Sequence, residues 1–365
     1  MNDNRIEKSS PKPKSGISTS LERDKSSQSL VDLGKCLVIG GSGLLGRAIV
    51  DQLIQEGYKV RVLDINPAHN KKAECIIGDI RNIEDVETAC QNINTVFQTA
   101  AAVWDPNQSK EVYYNTNVDG NHNIIQTCIK VGVSRLIYTS TMDVVCSDER
   151  KNYCFVDETY PYPKKMPKDH YSRSKIIAEK AMLKANGING LKVVSIRPVG
   201  IFGEGDRYHV GNLVKMAQKG NKIKMGSGKA KFSHIYSGNA AYGHILAAKH
   251  LCSNLPDISG NCYFLSEKQY TQNLFNFISS FLEALNLPPP KISIPYRIAY
   301  VLAWLSEKIG LKSNFNRFSV IQTCLHHTFS SEKAKRDFGF KPIFSKEEAF
   351  RRTVNWFKSK LEQEK

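Results

Sequence analysis

The sequence predicts an α/β fold, a doubly wound parallel sheet followed by a smaller mixed α/β region at the C-terminal side. Three observations predict it. Short apolar runs alternate with helical patterns from about residue 35 to about residue 200, the pattern of strand–helix–strand units. The first run is followed at once by closely spaced glycines that open a helix. Beyond Gly203 the alternation decays into helices with few strands. The organisation expected is a polar tail over 1–34, a nucleotide-binding domain over 35–202, and a region over 203–365 that completes a pocket and closes the chain.

The tail is rich in Ser, Lys, Pro and Asn and poor in large apolar residues, so it cannot bury enough surface to fold alone. It lacks an apolar core of signal-peptide length, and Asp3, Glu7, Glu22 and Asp24 argue against a transit peptide. The chain carries nine scattered cysteines without a Cys-x-x-Cys pair, which predicts reduced thiols, a non-secretory compartment and no structural metal. Its net charge of +16 fits a solvated basic surface, an acidic ligand or a membrane surface. Nucleic acid is disfavoured, because no basic run is interleaved with aromatics.

Folding starts at Lys35. Cys36 to Ile39 is a strand, and Gly40, Gly43 and Gly46 follow at intervals of three, with helix formers from Leu44 and Leu45 to near Glu56. A dinucleotide site needs this spacing: a sharp turn, close backbone approach to a pyrophosphate, and a helix packed tightly on its strand. The phosphates rest on free N–H groups at the helix start. A second strand, Tyr58 to Leu63, ends in Asp64, about 20 residues on, where the acid that bonds a ribose diol belongs. The fold is therefore of Rossmann type and the cofactor expected is NAD.

A short third strand, Glu74 to Ile77, ends in Gly-Asp-Ile-Arg. Asp79, beside Ile80, sits where such sheets bind ligands and could meet an adenine edge; an N-cap for the next helix is the equal alternative. The fourth strand, Thr95 to Thr99, ends in Ala100, Ala101 and Ala102, small enough for a cofactor to lie against the backbone. A helical pattern covers Glu111 to Val131. The fifth strand, Arg135 to Tyr138, ends in Thr139, Ser140 and Thr141.

Tyr171 and Lys175 then open a helix at i and i+4, on one face. A free tyrosine has a pKa near 10. A neighbouring ammonium favours the phenolate and makes the residue a usable base. A hydroxyl at the fifth strand's end could hold the substrate oxygen. A sixth strand, Val193 to Ile196, leads to Pro198, which lacks an N–H and ends it.

These blocks resemble the extended short-chain dehydrogenase/reductases from about Lys35 to Lys360, and within them the 3β-hydroxysteroid dehydrogenases, which include sterol-4α-carboxylate 3-dehydrogenases. The resemblance is carried by Tyr138-Thr-Ser-Thr-Met-Asp-Val-Val145, His170-Tyr-Ser-Arg-Ser-Lys175, Arg197-Pro-Val-Gly-Ile-Phe-Gly-Glu-Gly205 and, most tellingly, the block from His234 to Ala247. Phe329 to Lys335 and Phe338 to Pro342 are similar to a C-terminal block that sugar-nucleotide enzymes share. The resemblance implies Tyr171 as catalytic acid/base, Lys175 on the nicotinamide ribose, and Thr141 as the catalytic hydroxyl, with Ser140 the weaker candidate. It implies cofactor contacts from Gly40 to Gly46, from Asp64, Asp79, Ile80, Ala100 and Ala101, and from Pro198. Two positions depart from the family. Gln98 stands where a histidine is usual, and Asn121 follows Gly120 where a threonine is usual.

The function this implies is NAD-dependent oxidation of a steroid or sterol 3β-hydroxyl, with loss of a 4-carboxylate or Δ5–Δ4 isomerisation as companions. A sugar-nucleotide epimerase, a flavonoid-type reductase and a non-catalytic NAD-binding regulator are the alternatives. An epimerase pocket needs polar and Arg groups for a diphosphate, and Asp206 to Phe232 supplies mainly Lys. A regulator of this kind often lacks the Tyr or the Lys, and this chain keeps both. Ile292 to Leu311 holds an apolar run, Ile298 to Leu305, far short of the ~20 residues that span a bilayer. It reads either as a helix covering the pocket or as an interfacial helix anchored by Tyr300 and Trp304. The second reading implies a cytoplasmic protein peripheral on the endoplasmic reticulum or another internal membrane. A homodimer is a further expectation.

Overall fold

The computed structural model describes residues 31–146, 150–253, 257–311 and 315–363. The predicted polar tail lies, up to residue 30, outside them. From Asp32 onward the chain forms one compact unit.

Seven parallel strands build the central sheet: β1 (Cys36–Ile39), β2 (Val60–Asp64), β3 (Glu74–Ile77), β4 (Thr95–Gln98), β5 (Arg135–Thr139), β6 (Lys192–Pro198) and β7 (Cys262–Leu265), in the order β7-β6-β5-β4-β1-β2-β3. The order reverses at β1, between β4 and β2, which opens a crevice at the strands' carboxyl ends. The inner strands are largely apolar because both faces are covered, whereas the edge strand β3 is mostly exposed. Cys36 and Val38 of β1 enter one core and Leu37 and Ile39 the other, as a period of two requires. Helices α1 (Leu44–Gln55) and α5 (Ser237–Ser253) cover the first face, contributing Ile49, Leu53, Ala241 and Ile245. Helices α2 (Ile83–Cys90), α3 (Gly120–Val131) and α4 (His170–Lys184) cover the second, with Val86, Ile124, Cys128 and Met182.

Most expected elements are present within a few residues of their expected bounds. Three findings refine them. The pattern over Glu111–Val131 is broken by a wide turn, Asn115–Asp119, of π-helical geometry, a device that often marks a functional site. Strand β6 is longer than expected, starting at Lys192, and ends as expected at Pro198, which stands in register with Leu265. The sheet's last strand, β7, comes from beyond residue 203, so the expected second region also contributes to the first. Short parallel pairs complete that region, Gly200–Phe202 with His234–Tyr236, Ile223–Met225 with Ile292–Ile294, and Tyr153–Val156 with His327–Phe329. Two further helices, α6 (Tyr296–Lys308) and α7 (Arg317–Cys324), pack on each other.

Candidate active site

The glycine turn has the form that its spacing predicts. Gly40 has φ of +81°, and a Cβ there would lie 2.6 Å from Ala100 N, so β1 and the β4 loop meet backbone to backbone. A methyl on Gly46 would collide with the Gly40 carbonyl oxygen, so α1 sits as close to its strand as a chain permits. Gly43 caps α1 without a side-chain hydrogen bond, and no acid occupies the first turn, which begins at Leu44 and Leu45. The orphan N–H groups and the dipole there suit a pyrophosphate. Asp64 Oδ2 accepts from Ser42 N at 2.9 Å and Oδ1 from Asn66 N at 2.9 Å. The carboxylate is thereby fixed beside the turn, and the residues present fit a dinucleotide.

Asp79 does not cap α2; Asn82 does, accepting from Glu84 N. Instead Asp79 is gripped by Arg81, whose Nη2 and Nε lie 2.6 and 2.9 Å away, and this pairing lowers its pKa. Ile80 is buried against Gly120, where a Cβ would come within 2.7 Å of it. Ala100 is clamped at both backbone groups by Gln98, which accepts from Ala100 N at 3.1 Å and donates to Ala100 O at 3.0 Å. Asn117, in the π turn, holds Ala102 the same way, at 2.8 and 3.0 Å, and donates to Ser174 of α4 at 3.0 Å. Ala101 lies between these two clamped residues.

Thr141, Tyr171 and Lys175 are brought together at the end of β5. Tyr171 and Lys175 lie one turn apart on α4, which Asp169 caps by accepting from Ser172 N at 2.7 Å. The Thr141 hydroxyl acts on the Tyr171 phenol, favouring its ionised form. Ser140, by contrast, has a buried hydroxyl without a partner among the described residues. Lys175 Nζ donates to Thr139 O at 2.7 Å and lies 4.5 Å from the Tyr138 ring centre. Burial lowers the Lys175 pKa to about 7, against the pull of Glu179. Tyr171 departs from the expectation that its lysine would lower its pKa. Burial raises it, and the Asp143 charge raises it further. The ammonium is bonded to the Thr139 carbonyl, while the Asp143 carboxyl acts on the phenol.

Three residues that sequence reasoning did not single out, Asp143, Glu179 and His244, shape the site. Asp143 Oδ2 accepts from Thr141 Oγ1 at 3.0 Å, and Oδ1 from Gln322 of α7 at 2.7 Å. Glu179, two turns beyond Tyr171 on the same face, is fully buried. It accepts from Arg197 at 2.9 Å, Ser195 at 2.7 Å and Tyr162 at 2.8 Å. Burial raises the Glu179 pKa, yet Arg197 outweighs it and holds the carboxyl below its usual range. His244 of α5 faces the Ala240 carbonyl through Nδ1 at 2.7 Å. That nitrogen must carry the proton, so Nε2 accepts from Thr139 Oγ1 at 3.0 Å. A glutamate at i+4 from the lysine was the one readable signal; the contacts of Asp143 with Gln322 and of His244 with Thr139 cross long stretches of chain.

A family model described as the 3-beta hydroxysteroid dehydrogenase/isomerase family matches residues 37–296. A mouse protein named sterol-4-alpha-carboxylate 3-dehydrogenase, decarboxylating, is 37% identical over 335 residues, covering 88% of this chain and 91% of the relative. A 3-beta-hydroxysteroid dehydrogenase of Mycolicibacterium neoaurum is 32% identical over 341 residues, covering 89% and 92%. Among solved structures, a Thermotoga maritima UDP-glucose 4-epimerase superposes with a TM-score of 0.71 at 21% identity, covering 90% of this chain and 99% of that one; at that identity the likeness is one of fold. The family match and the relatives' identity over nearly their whole length agree with the assembled site: the chain belongs to the 3-beta hydroxysteroid dehydrogenase/isomerase family.

Proposed function

We propose that the protein oxidises the 3β-hydroxyl of a steroid or sterol with NAD⁺. The observation that carries this reading is the convergence of Thr141, Tyr171 and Lys175 beside a dinucleotide cradle in a chain of this family. NAD⁺ bound along Gly40 to Gly46, Asp64 and Ala100 supplies the hydride acceptor. The protein's own part is to place the alcohol and move its proton. Thr141 holds the C3 oxygen by a fixed hydrogen bond. Tyr171, as phenolate, takes the hydroxyl proton, and Lys175 orients the ribose. If the substrate bears a 4-carboxylate, oxidation yields a β-keto acid that loses CO₂ readily, the reaction that the name of the mouse relative describes. A paired assay of 3β-hydroxysteroids and 4α-carboxysterols against UDP-glucose and UDP-galactose, following NADH, tests the reading. Turnover of the nucleotide sugars alone would replace it with an epimerase.

The second part of the proposal is a peripheral membrane contact. Ala299 and Ala303 of α6 are buried, while Ile298, Val301, Leu302 and Leu305 are 43–53% exposed along one outer face. Trp304 is exposed among them, with Lys308 Nζ 5.8 Å from its ring. Tyr300, the other expected anchor, packs inward instead, beneath the Arg150 guanidinium. No described helix is long and apolar enough to cross a membrane. An apolar stripe flanked by cations suits an interfacial helix on an anionic bilayer, the endoplasmic reticulum or another internal membrane being the surface. Co-sedimentation with anionic vesicles should fall when Val301 and Leu305 are changed to Ser. A homodimer is the assembly proposed, to be read by sedimentation equilibrium.

A further inference from the structure

The ring of Trp104 stacks on that of Phe318, with centroids 5.7 Å apart and planes 24° from parallel. Both side chains are partly buried, and neither belongs to the dinucleotide cradle or to the acid–base group. Yet the segments that carry them are fixed from the catalytic side. Trp104 stands in the irregular stretch after β4, two residues beyond Ala102, which Asn117 clamps at 2.8 and 3.0 Å. Its next neighbour, Asp105, is clamped in the same way. The Tyr113 hydroxyl accepts from Asp105 N at 2.8 Å and donates to Asp105 O at 2.9 Å. Tyr113 in turn meets Tyr171 edge-on, with ring centroids 6.3 Å apart. Two backbone clamps thus bracket Trp104, and one of them leans on the catalytic phenol.

Phe318 lies in the first turn of α7, which Asn316 caps through reciprocal bonds with Ser319. Gln322 follows at i+4, so the two side chains share a face. Gln322 Nε2 donates to Oδ1 of Asp143, in the 3₁₀ turn Met142–Val145, at 2.7 Å, and Asp143 Oδ2 accepts from Thr141 at 3.0 Å. A closed path of contacts therefore runs from Tyr171 through Tyr113 and Asp105 to Trp104, across the stack to Phe318, and back through Gln322 and Asp143 to Thr141. The stack is the midpoint of that path, where the segment after β4 meets α7. The clamped backbone from Ala100 to Ala102 is given to the cofactor. A substrate whose hydroxyl reaches Thr141 and Tyr171 must then carry its remaining rings outward between these two walls.

We propose that Trp104 and Phe318 select the substrate: they part to admit a flat, fused-ring alcohol and close on its apolar face. This rests on the reading of Thr141 and Tyr171 as the site of alcohol oxidation. A pair of stacked rings is held by little more than thermal energy beyond the area that it buries, so the stack exchanges for a substrate contact without unfolding anything. Its neighbours stay in place, because their clamps are hydrogen bonds to backbone. A fused-ring substrate covers both aromatic faces and keeps them from water. A single-ring alcohol fills the hydroxyl end and leaves the pair untouched. The two side chains therefore act on the choice of substrate rather than on the chemical step.

Trp104→Ala and Phe318→Ala test this in the full chain with NAD⁺, with Trp104→Phe as the conservative variant. For 3β-hydroxysteroids and 4α-carboxysterols, KM should rise about ten- to a hundredfold in each alanine variant, the loss that follows from removing one large apolar contact, while kcat stays within about threefold. For cyclohexanol, kcat/KM should stay within about threefold, and Trp104→Phe should restore most of the sterol KM. Equal losses for cyclohexanol and for sterols would mean that the pair only holds the fold, and would overturn the proposal. A second measurement does not depend on turnover. In the Tyr171→Phe protein with NAD⁺ bound, titration with epiandrosterone or a 4α-carboxysterol should change the tryptophan emission, and the change should vanish when Trp104→Phe is added. A change of the same size without Trp104, or none with it, overturns the proposal. A Trp104-dependent change in a protein that oxidises no sterol would remove the functional reading and leave this subsite standing. Oxidation of sterols with KM unaltered in both alanine variants would do the reverse.

Discussion

Gln98 and Asn121, the two positions where this chain leaves the family pattern, are hydrogen-bonded to each other: Gln98 Nε2 donates to Asn121 Oδ1 at 2.8 Å, and both side chains are buried. Asn121 in turn donates to Asn117 O at 2.7 Å. The two residues thus form one buried pair, and its bonds end on the clamps that hold Ala100 and Ala102.

A double-mutant cycle follows. Gln98→Leu alone strands a buried amide and frees the Ala100 clamp, at a cost of about 1–3 kcal/mol, with a higher KM for NAD⁺. Asn121→Thr alone should also destabilise. The two changes should couple by about 0.5–3 kcal/mol. Chemical denaturation measures this, and strictly additive losses would refute the pairing.

Tyr171→Phe deletes one hydroxyl. Dehydrogenase turnover should fall by about 10² to 10⁴, with NADH binding, read by fluorescence titration, and thermal midpoint largely kept. Near-normal turnover by the folded variant would remove Tyr171 from the mechanism.

The cofactor should be NAD rather than NADP. Asp64, fixed by Ser42 N and Asn66 N, suits a ribose diol and repels a 2′-phosphate. The residues after it, Ile65 and Asn66, bring no cation, and Lys71 and Lys72 come several positions later. Values of kcat/KM for both cofactors decide the point; equal use of NADP would contradict it.

Much of this was legible in the sequence, and the reason is range. Gly40, Gly43 and Gly46 declare themselves because their constraints lie within one turn. Tyr171 and Lys175 do so because a helix fixes their spacing. Asp143 was visible as a letter but not as a partner of Gln322, since no local rule joins a 3₁₀ turn to α7. Asp79 was read as ligand contact or cap because the sequence cannot show Arg81 folding back onto it. Pro198 was read as the strand's end because a missing N–H weakens a ladder, and β6 ends there. In the His234–Ala247 block, Asn239 is spent on structure: it accepts from Ile343 N and Phe344 N, each at 2.9 Å, and donates to Glu267 at 3.0 Å. His244 works at the site only through Thr139.

The Glu179–Arg197 pair should carry a large share of stability. Glu179→Leu leaves Arg197 charged and 3% exposed without its partner, a loss of about 3–5 kcal/mol. Replacing both residues with apolar ones should recover part of it. Urea midpoints test both statements, and a neutral single mutant would show that solvent reaches Arg197.

Acid should unfold the protein in part through buried histidines. Burial lowers His244 and His327 to about 4, from an ordinary 6.5. A group depressed in this way contributes stability that is present above pH 6.5. It is lost as pH falls through the interval down to about 4, where the unfolded chain takes the proton first. His244→Gln should flatten the fall in unfolding free energy between those values by up to about 3 kcal/mol. An unchanged slope would mean that His244 protonates within the folded state.

Strand β6 ends at Pro198, and its neighbour β7 does not begin until Cys262. During synthesis the nucleotide-binding half is therefore complete in sequence while one flank of its sheet still presents a row of unpaired amides. Such a row recruits strands from other chains, and a slow parallel pairing leaves it open longer. The intervening segment, with the helix α5 that covers one face of the sheet, must emerge before the sheet can close. The covering of that face and the sheet's protection from aggregation are thus timed to the same event, and a chain stopped after residue 202 is expected to precipitate rather than to fold as a smaller nucleotide-binding protein.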